Sequence, residues 1–293
     1  MKRLLFIYNP CAGKGKIRTK LLDVIDVLSS AYEVTVYPTR GRGDAVRATR
    51  EKRSDYDLVV CSGGDGTLDE VVTGMMEGPK KVPIGYIPAG STNDFASSLG
   101  LSKNMVKAAQ TVVEGRSFGC DVGAFNQDTF IYIAAFGIFT DVSYETPQSF
   151  KNILGHMAYI LEGMKRLPSL RTYRLQVMYD GNCIENEFLF GMITNSTSVG
   201  GFKKITGKYV ALNDGLFEMT LIRKPKNAIE LNQIMTALVM ESMDTDCIVY
   251  AKTDRIEFSS QEPVAWTLDG EFGGEHRRVE IVSRPQAIEI IVP

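Results

Sequence analysis

The stretch Leu58-Val-Val-Cys-Ser-Gly-Gly-Asp-Gly-Thr-Leu-Asp-Glu70 decides the fold of the N-terminal half of the chain. It begins with a short apolar run, Leu58 to Cys61, which predicts a buried strand. A turn of small residues around Gly63 follows, and residues 67–76 then have the pattern of a helix. Strand, glycine turn and helix in this order form the unit of a parallel sheet covered by helices. We therefore expect an α/β domain here.

Two other segments repeat this order, Asn9-Pro-Cys-Ala-Gly-Lys-Gly-Lys16 and Pro88-Ala-Gly-Ser-Thr-Asn-Asp94. In a parallel sheet such turns meet at the carboxyl edge, where ligands bind. Glycine lets the backbone approach a phosphate, and a helix N-terminus adds free N–H groups and partial positive charge. Three such turns favour a nucleotide triphosphate. The sequence has neither G-x-x-x-x-G-K-[ST] nor a G-x-G-x-x-G after a strand, which disfavours P-loop NTPases and Rossmann dehydrogenases.

The hydrophobic pattern changes near residue 122. Before it, we predict strands at 4–8, 33–37, 58–61 and 83–87, and helices at 17–28, 44–53, 67–76 and from 94, with Asp44 as a candidate N-cap. After it, we predict strands at 130–135, 173–179, 187–193, 216–222, 255–258 and 279–282, and helices at 150–166 and 228–240. We expect an α/β domain with a parallel sheet over 1–122, with 286–293 as candidates to return to it. A β-rich, sandwich-like domain is expected over 123–285.

The composition is that of a globular protein. Of 293 residues, 44% are apolar and 23% charged, and the mean hydropathy is −0.06. These values exclude collagen-like and disordered chains. A net charge of −2 makes a general nucleic-acid coat a poor match. Residues 1–53, however, hold twelve Lys or Arg and five Asp or Glu, so we expect an anionic partner at that end.

The compartment is predicted from the apolar runs and the cysteines. No apolar run approaches the length of about 20 residues that spans a bilayer, and Leu4 to Tyr8 is too short for a signal-peptide core. The five cysteines, at positions 11, 61, 120, 183 and 247, have no spacing of a metal or redox pair. A reducing cytoplasm is the expected compartment.

Five motifs carry a resemblance to a known family. Gly63-Gly-Asp-Gly-Thr-Leu-Asp-Glu70, Pro88-Ala-Gly-Ser-Thr-Asn-Asp-Phe95 and Asn9-Pro10 with Gly13 are followed by Leu212-Asn-Asp-Gly-Leu-Phe217 and Leu268-Asp-Gly-Glu271. Together they resemble the diacylglycerol kinase catalytic domain of bacterial soluble lipid kinases, which are relatives of sphingosine kinases. The first motif alone is shared with NAD kinases, whereas the combination is specific. The resemblance implies an ATP-dependent lipid kinase with a NAD kinase-like first domain.

The resemblance also implies roles for individual residues. The Asp65 turn would bind the ATP phosphates and their Mg²⁺, and Glu271 would be the general base that takes the proton from the lipid hydroxyl. The other residues expected around the nucleotide are Asn9, Thr39, Gly63, Gly64, Gly66, Thr67 and Ser91. A structural Mg²⁺ site is implied at Asp214 with the carbonyls of Ala211 and Leu216, which Asp121 would join through water.

The chemistry of phosphoryl transfer agrees with this set, because it requires neutralised phosphates, in-line positioning and a base for the hydroxyl. Mg²⁺ prefers carboxylate and water oxygens. From the residues alone, Asp214 and Asp269 would instead be read as hairpin-turn residues, and Glu271 as an exposed rim residue. Of the two histidines, we expect His156 to be structural and His276 to be solvated.

Three residues depart from the family pattern. Asp69 replaces a common Asn, Ala12 replaces a frequent Ser, and Ser91 replaces Thr but keeps the hydroxyl. None of them is Asp65 or Glu271, so we expect activity to be retained. Two alternatives stay open: a NAD kinase-like enzyme with a soluble acceptor, and a nucleotide-dependent lipid-binding or regulatory protein without turnover.

The expected partner is a lipid substrate at the membrane surface, with no nucleic acid and with a homodimer left open. Lys14 and Arg18 lie next to the first turn and are the candidates for phosphate or lipid head-group contact. The apolar face of the segment at 150–167 would line a lipid cleft, enter the membrane interface, or simply face the core. The predicted location is the cytoplasm, with transient association with the inner face of the membrane.

Overall fold

The computed structural model describes residues 1–137, 171–199, 202–203, 210–239 and 245–293. The chain forms two compact units, Met1–Val122 together with Pro285–Pro293, and Gly123–Arg284. The helix expected at 150–166, the segment at 150–167 and His156 lie outside the described residues. Among the helices within the described ranges, none has the length and apolar character needed to cross a membrane.

The first unit alternates strands and helices around a parallel sheet. Its elements are β1 (Lys2–Tyr8), α1 (Ala12–Gly15), α2 (Leu21–Ser29), β2 (Tyr32–Pro38), α3 (Asp44–Lys52), β3 (Leu58–Gly63), α4 (Asp65–Met76), β4 (Ile84–Pro88), α5 (Asp94–Ser98), α6 (Met105–Glu114) and β5 (Arg116–Phe125). Strands β4, β3, β1 and β2 are adjacent in that order and run parallel. The last part of β15 (Glu271–Val292) runs parallel to β4. The predicted α/β class is confirmed.

The central strands are apolar because helices cover them on both faces. Leu4 and Phe6 of β1 and Val60 of β3 pack with Val24 and Leu28 of α2 in one buried cluster. Strands β1, β3 and β4 end next to one another, since Tyr8 is in register with Ser62, and Gly63 with Pro88. This register brings the turns that follow these strands to the same edge of the sheet.

Two local predictions in this unit are wrong. The helix expected at 17–28 is a 3₁₀ turn, Lys16–Thr19, followed by α2, because Lys20 between them has a non-helical φ of −120°. Asp44 is not the N-cap of α3 but its first residue, and Gly43 occupies the cap with a left-handed φ of 76°. The Asp44 carboxylate accepts hydrogen bonds from Arg40 N–H and the Tyr37 hydroxyl instead.

Two of the longer elements of the first unit, α6 and β5, were not predicted. The start of α6 is marked by Asn104, whose side chain accepts hydrogen bonds from Val106 N–H and Lys107 N–H. Asn is a strong N-cap residue, so this helix had a signal in the sequence. Strand β5 follows it directly and contains Gly119 and Gly123, which weaken the strand pattern.

The second unit is built from antiparallel strands. Its elements are the end of β5, β6 (Asp128–Phe130), β7 (Ile133–Gly137), β8 (Tyr173–Tyr179), β9 (Asn182–Thr194), β10 (Ser198–Val199), β11 (Phe202–Lys203), β12 (Phe217–Arg223), α7 (Ala228–Val239), β13 (Ile248–Thr253), β14 (Arg255–Leu268) and the first part of β15. Strands β13, β12, β9, β7, β14 and β15 are adjacent in that order, and β8 pairs with both β9 and β14. The expected β-rich, sandwich-like class is confirmed.

An aromatic cluster forms the core of this unit. The indole of Trp266 lies with its ring centroid 4.9 to 5.1 Å from the rings of Phe125, Phe136 and Phe258. The angles between ring planes are 59° to 67°, which is the edge-on arrangement that aromatic pairs prefer. The four side chains come from β5, β7 and β14 and fix the packing of these strands.

The strand predicted at 130–135 is two strands, β6 and β7, separated by Ile131 and Tyr132. The break has a cause far along the chain. The N–H groups of Ile131 and Tyr132 donate hydrogen bonds to the carboxylate of Asp269, at 2.6 and 3.0 Å. The local apolar pattern contains no sign of this partner.

Candidate functional site

The Asp65 turn connects β3 to α4, and its glycines are required by close packing. A Cβ atom added to Gly63 would lie 2.2 Å from the hydroxyl oxygen of Thr67, so the Thr67 side chain fills the space above this glycine. Thr67 is buried, and its Oγ1 accepts a hydrogen bond from Asn9 Nδ2 at 3.5 Å. Three residues expected around a nucleotide, Asn9, Gly63 and Thr67, are therefore brought together.

The turn after β4 packs directly against the Asp65 turn. The N–H groups of Ala89 and Gly90 donate to the carbonyl of Gly63 at 2.7 and 3.1 Å, and a Cβ atom on Gly90 would lie 2.5 Å from the Cα of Gly64. Asn93 holds the turn in shape: its Oδ1 accepts from Gly90 N–H at 2.9 Å. The backbone of Asn93 is left-handed, with φ 55°, a conformation that Asn tolerates better than most residues.

The turn after β1 meets the same place. A Cβ atom on Gly13 would lie 2.0 Å from the carbonyl oxygen of Ala89, so only glycine fits there. Gly13, Lys14 and Gly15 all have left-handed backbones. Lys14 is exposed, and the Nε of Arg18 donates to the Pro10 carbonyl at 3.1 Å. The three glycine turns thus assemble into one surface within the first unit.

The carboxylate of Asp65 lies on this surface and is half-buried. Its Oδ2 accepts a hydrogen bond from the Asp94 N–H at 3.1 Å, which ties the second turn to the start of α5. The nearby Thr39 donates its N–H to the Tyr8 carbonyl at 2.9 Å, which places it at the end of β1. Ser91 is exposed and Gly66 has open space beside it.

Two residues that support this surface were missed by the sequence reasoning. Asn93 closes the third turn, as described above, and Glu70 of α4 accepts hydrogen bonds from Gly43 N–H at 2.8 Å and Ala45 N–H at 3.0 Å. These two N–H groups lie at the start of α3, where the helix leaves its amides unpaired. The carboxylate of Glu70 therefore caps a neighbouring helix. Its side-chain type gave no local signal, because the partner is 25 residues or more away.

Glu271 is in the second unit, at the first position of β15 and exposed. The Asp269-Gly270 turn that precedes it is anchored: Asp269 Oδ2 accepts from Ile131 N–H, and Oδ1 accepts from Tyr132 N–H and Ile133 N–H, at 2.6, 3.0 and 2.9 Å. Asp269 is only 5% exposed. The hairpin that presents Glu271 is consequently held by a buried carboxylate.

The Asp214 loop precedes β12 in the second unit. Asp214 Oδ1 accepts from Leu216 N–H at 3.1 Å, and Oδ2 accepts from the Nζ of Lys252 at 3.2 Å. Lys252 also lies 3.1 Å from Oε1 of the buried Glu218. Burial raises the pKa of the Glu218 carboxyl to about 7, although the neighbouring Lys252 lowers it. Ala211 is half-buried in the same loop.

The donor set of this loop does not fit a divalent cation well. Both oxygens of Asp214 are engaged within the protein, one of them by an ammonium group. Within the described ranges, no three His, Cys, Asp or Glu side chains are grouped closely enough to hold a metal ion. Asp121, in the first unit, is fully buried, and its Oδ1 accepts a hydrogen bond from Gln286 N–H at 2.7 Å.

The cysteines and His276 have structural surroundings. All five thiols are free. Burial raises the pKa of Cys61, and burial with the charge of Asp121 raises that of Cys120 to about 12, so neither thiol ionises readily. The expectation of a solvated His276 is wrong. The ring is half-buried, lies edge-on to Phe125 at 5.4 Å, and its Nε2 is 2.8 Å from the Gly273 carbonyl oxygen.

Comparison with known proteins places this arrangement in a family. Residues 3–125 match the diacylglycerol kinase catalytic domain, and residues 135–292 match the YegS C-terminal NAD kinase beta sandwich-like domain. The chain belongs to the diacylglycerol kinase family. It is a lipid kinase, and membership of this kinase family implies the use of ATP.

The matches to similar proteins extend over nearly all or all of the chain. The diacylglycerol kinase of Bacillus subtilis (strain 168) is 36% identical over 296 residues, covering 100% of this chain and 97% of the relative. The diacylglycerol kinase of Staphylococcus aureus (strain MRSA252) is 38% identical over 277 residues, covering 94% and 87%. A crystal structure of a diacylglycerol kinase from Bacillus anthracis str. Sterne shares the fold, with a TM-score of 0.80, 22% identity, and coverage of 100% of this chain and 97% of that chain.

Proposed function

We propose that this lipid kinase transfers the γ-phosphate of ATP to the hydroxyl group of diacylglycerol or a related lipid, with Mg²⁺ as the companion of ATP. One observation carries the nucleotide part of the proposal: the turns at Gly13, Gly63-Gly64 and Gly90 approach so closely that a Cβ atom at Gly13, Gly63 or Gly90 would overlap a neighbour. Such an array of glycine turns at the carboxyl edge of a parallel sheet is suited to phosphate groups.

Each residue of the array has a task in this proposal. The backbone N–H groups of the glycine turns and the Thr67 hydroxyl bind phosphate oxygens, and the exposed Lys14 and Arg18 add positive charge beside them. Asp65 suits Mg²⁺, because it is a half-buried carboxylate whose orientation the Asp94 amide fixes. When bound, the ion would neutralise phosphate charge during transfer. Asn9, Thr39 and Ser91 surround the nucleotide.

Glu271 is the proposed general base. An exposed carboxylate can accept the proton of an incoming lipid hydroxyl at its own oxygen, and the Asp269 anchor keeps the Glu271 hairpin in place. The relatives are named diacylglycerol kinases, which favours diacylglycerol as the acceptor of this chain. The other candidate acceptors are lipid alcohols such as a sphingoid base or phosphatidylglycerol.

A mixed-micelle assay tests the proposal. The full chain is incubated with ATP labelled at the γ-position, Mg²⁺ and single lipids from a panel, and the labelled product is identified. We expect label on diacylglycerol or a related lipid alcohol. Label on no lipid but on a soluble nucleotide acceptor would refute the acceptor class, and ATP binding without transfer to any acceptor would refute turnover.

Protein variants measured in the same assay test the proposed roles of Asp65 and Glu271. Asp65→Asn and Glu271→Gln are each expected to lower kcat by at least about 100-fold, as removal of a general base or a charge-stabilising group does. Asp26→Asn, on the exposed face of α2, and Glu275→Gln, exposed on the same strand as Glu271, are the matched controls. A fully active Glu271→Gln protein would exclude Glu271 as the base.

The membrane part of the proposal concerns location. We infer that the enzyme works at the cytoplasmic face of the membrane and associates with it transiently, because its acceptor is a lipid. Lys14 and Arg18 are candidates for contact with anionic head groups, where each basic residue adds about 1 kcal/mol. Co-sedimentation with anionic vesicles, weakened by salt and by Lys14→Ala with Arg18→Ala, is the expected result. Equal binding of the double variant would remove these residues from the contact.

A further inference from the structure

A buried carboxylate in the second unit is paired with a lysine on the neighbouring strand. Glu218 of β12 is directly opposite Lys252 of β13 in the antiparallel register. The Glu218 side chain has no exposed surface, and the Lys252 side chain is 27% exposed. Among the described residues, neither oxygen of Glu218 accepts a well-oriented hydrogen bond. The ammonium of Lys252, 3.1 Å from Oε1, therefore compensates the buried negative charge.

The same ammonium reaches a second carboxylate. Lys252 Nζ is 3.2 Å from Oδ2 of Asp214, in the loop that leads into β12. The other oxygen of Asp214 accepts the N–H of Leu216, which closes the turn of this loop. One ammonium thus joins the acidic loop to the sheet, and it fixes both ends of the connection between Asp214 and Glu218.

This position of Lys252 matters for the metal site that the family resemblance predicts. A cation held by Asp214 and the carbonyls of Ala211 and Leu216 would share a carboxylate with the lysine ammonium. Two positive groups on one carboxylate repel each other, and Mg²⁺ in addition demands a near-octahedral set of oxygen ligands. The protein already supplies the positive charge at this place, in a covalently attached form.

We propose that the Lys252 ammonium is the resident cation of the Asp214 loop, in place of a divalent metal ion, so that this loop keeps its structure without one. The proposal concerns the second unit alone. It does not depend on the role of Asp65, on the Mg²⁺ that accompanies ATP, or on the identity of the lipid.

Thermal unfolding of the full chain in millimolar MgCl₂ and in EDTA, without nucleotide, is the first test. For the unmodified protein we expect the same Tm in both solutions. For Lys252→Met we expect a lower Tm in EDTA and a recovery in MgCl₂, because an ion that binds only the folded state stabilises it in proportion to the logarithm of its concentration.

The matched control is Lys224→Met. Lys224 also pairs with a glutamate in this unit, Glu187, at 2.6 Å, but both side chains are about half exposed. The Tm of Lys224→Met should not respond to MgCl₂.

Direct binding of Mn²⁺, used as a probe of divalent sites and measured by calorimetry, is the second test. A site at the loop is expected only in Lys252→Met, and it should disappear when Asp214→Asn is added. Ion binding elsewhere, including at Asp65, would not respond to Asp214→Asn, so failure of this proposal is distinguishable from failure of the proposed function.

Three outcomes would overturn the proposal. The first is a Tm of the unmodified protein that falls by several degrees in EDTA and is also lowered by Asp214→Asn. The second is a Lys252→Met protein that loses stability equally in MgCl₂ and EDTA, since the lysine would then only compensate Glu218. The third is a Lys252→Met protein of unchanged Tm. If Lys252→Met does not fold, Lys252→Met with Glu218→Gln removes the unpaired buried charge, and the same Mn²⁺ measurement is made on that protein.

Discussion

The turns at Asp65-Gly66 and Asp269-Gly270 contain the same dipeptide, but the aspartate carboxylate has a different role in each. Asp65-Gly66 begins α4 at the glycine-turn surface, and its half-buried carboxylate receives the Asp94 N–H from the next turn. Asp269-Gly270 joins β14 to β15, and its buried carboxylate receives three N–H groups from residues 131–133. The first lies where a ligand is expected, whereas the second holds the protein together. The dipeptide alone does not distinguish these tasks.

Glycine is also required for different reasons in the two turns. Around Asp65, glycine is needed because neighbouring atoms leave no room for a Cβ, as at Gly63 and Gly90. After Asp269, space is open, and Gly270 is favoured by its φ of 88°, which strains other residues. The comparison therefore predicts different consequences for the same Gly→Ala change in the two places.

The largest effect on stability is expected from Asp269→Ala. The change leaves three buried N–H groups without their acceptor, and each costs about 1 to 3 kcal/mol, so the free energy of unfolding should fall by at least about 3 kcal/mol. Asp65→Ala should lower it by less, since the Asp65 carboxylate is half-buried whereas that of Asp269 is almost fully buried. Urea unfolding followed by circular dichroism measures both. Equal losses would end the distinction between the two turns.

The second-largest loss of stability is expected from Gly63→Ala. The added Cβ would lie 2.2 Å from Thr67 Oγ1 and 2.4 Å from Thr67 Cβ, so Thr67 or the turn must move. Overpacking of this kind costs about 1 to 3 kcal/mol, and the displaced Thr67 should also weaken ATP binding. Equilibrium binding of ATP and urea unfolding are measured together.

The control for Gly63→Ala is Gly66→Ala in α4, where, apart from the chain neighbours and the helix's own backbone, no atom of the described residues lies within 4 Å of the added Cβ. Alanine is the better helix former by about 1 kcal/mol, so this variant should be at least as stable as the parent. A Gly63→Ala protein that behaves like Gly66→Ala would show that the close packing of the turn is not needed.

A smaller effect is expected from Gly270→Ala. Because only the left-handed backbone is strained there, with the nearest atom at 4.0 Å, the cost should be about 1 to 2 kcal/mol. Gly270→Asn should recover part of this, since Asn adopts positive φ more readily. Urea midpoints of the two variants test the order. A Gly270→Asn protein less stable than Gly270→Ala would contradict an explanation based on φ.

The two turns also show which parts of the protein can be predicted from the sequence. The strand, turn and helix around Gly63 are encoded within a few residues, so the fold class and the convergence of the three turns follow from local pattern and from the geometry of parallel sheets. The close approach of Gly13 to Ala89 is one result of this convergence, because the turns after parallel strands meet at the same edge of the sheet. The family motifs then supply the lipid kinase assignment.

The features that the sequence did not predict depend on pairs of residues that are far apart in the chain. The three amides that Asp269 binds are 136 to 138 residues away, and Lys252 is 38 residues from Asp214. A local pattern carries no information on such pairs. For that reason the apolar run at 130–135 is predicted as one strand, and the ion pair between Lys252 and Asp214 is not predicted at all.

The smallest effect is expected at Asp44, which is the counterpart of Asp269 in the first unit. Burial raises the pKa of its carboxyl, but the Arg40 N–H, the Tyr37 hydroxyl and Arg47 together hold it below the usual value of 3.8. A carboxyl with a lowered pKa stabilises the folded state above pH 3.8, and this contribution is lost as the pH falls through the folded-state pKa. Asp44→Asn should therefore cost about 1 kcal/mol at neutral pH.

The pH dependence separates the charge of Asp44 from its shape. Asparagine is close in size to aspartate, so the urea midpoints of the parent and of Asp44→Asn should differ at pH 7 and converge as the solution is acidified below pH 3.8. A difference that stays constant to low pH would mean that the side chain acts through packing. In that case Asp44 would not be a charged acceptor like Asp269, and the parallel between the two buried aspartates would fail.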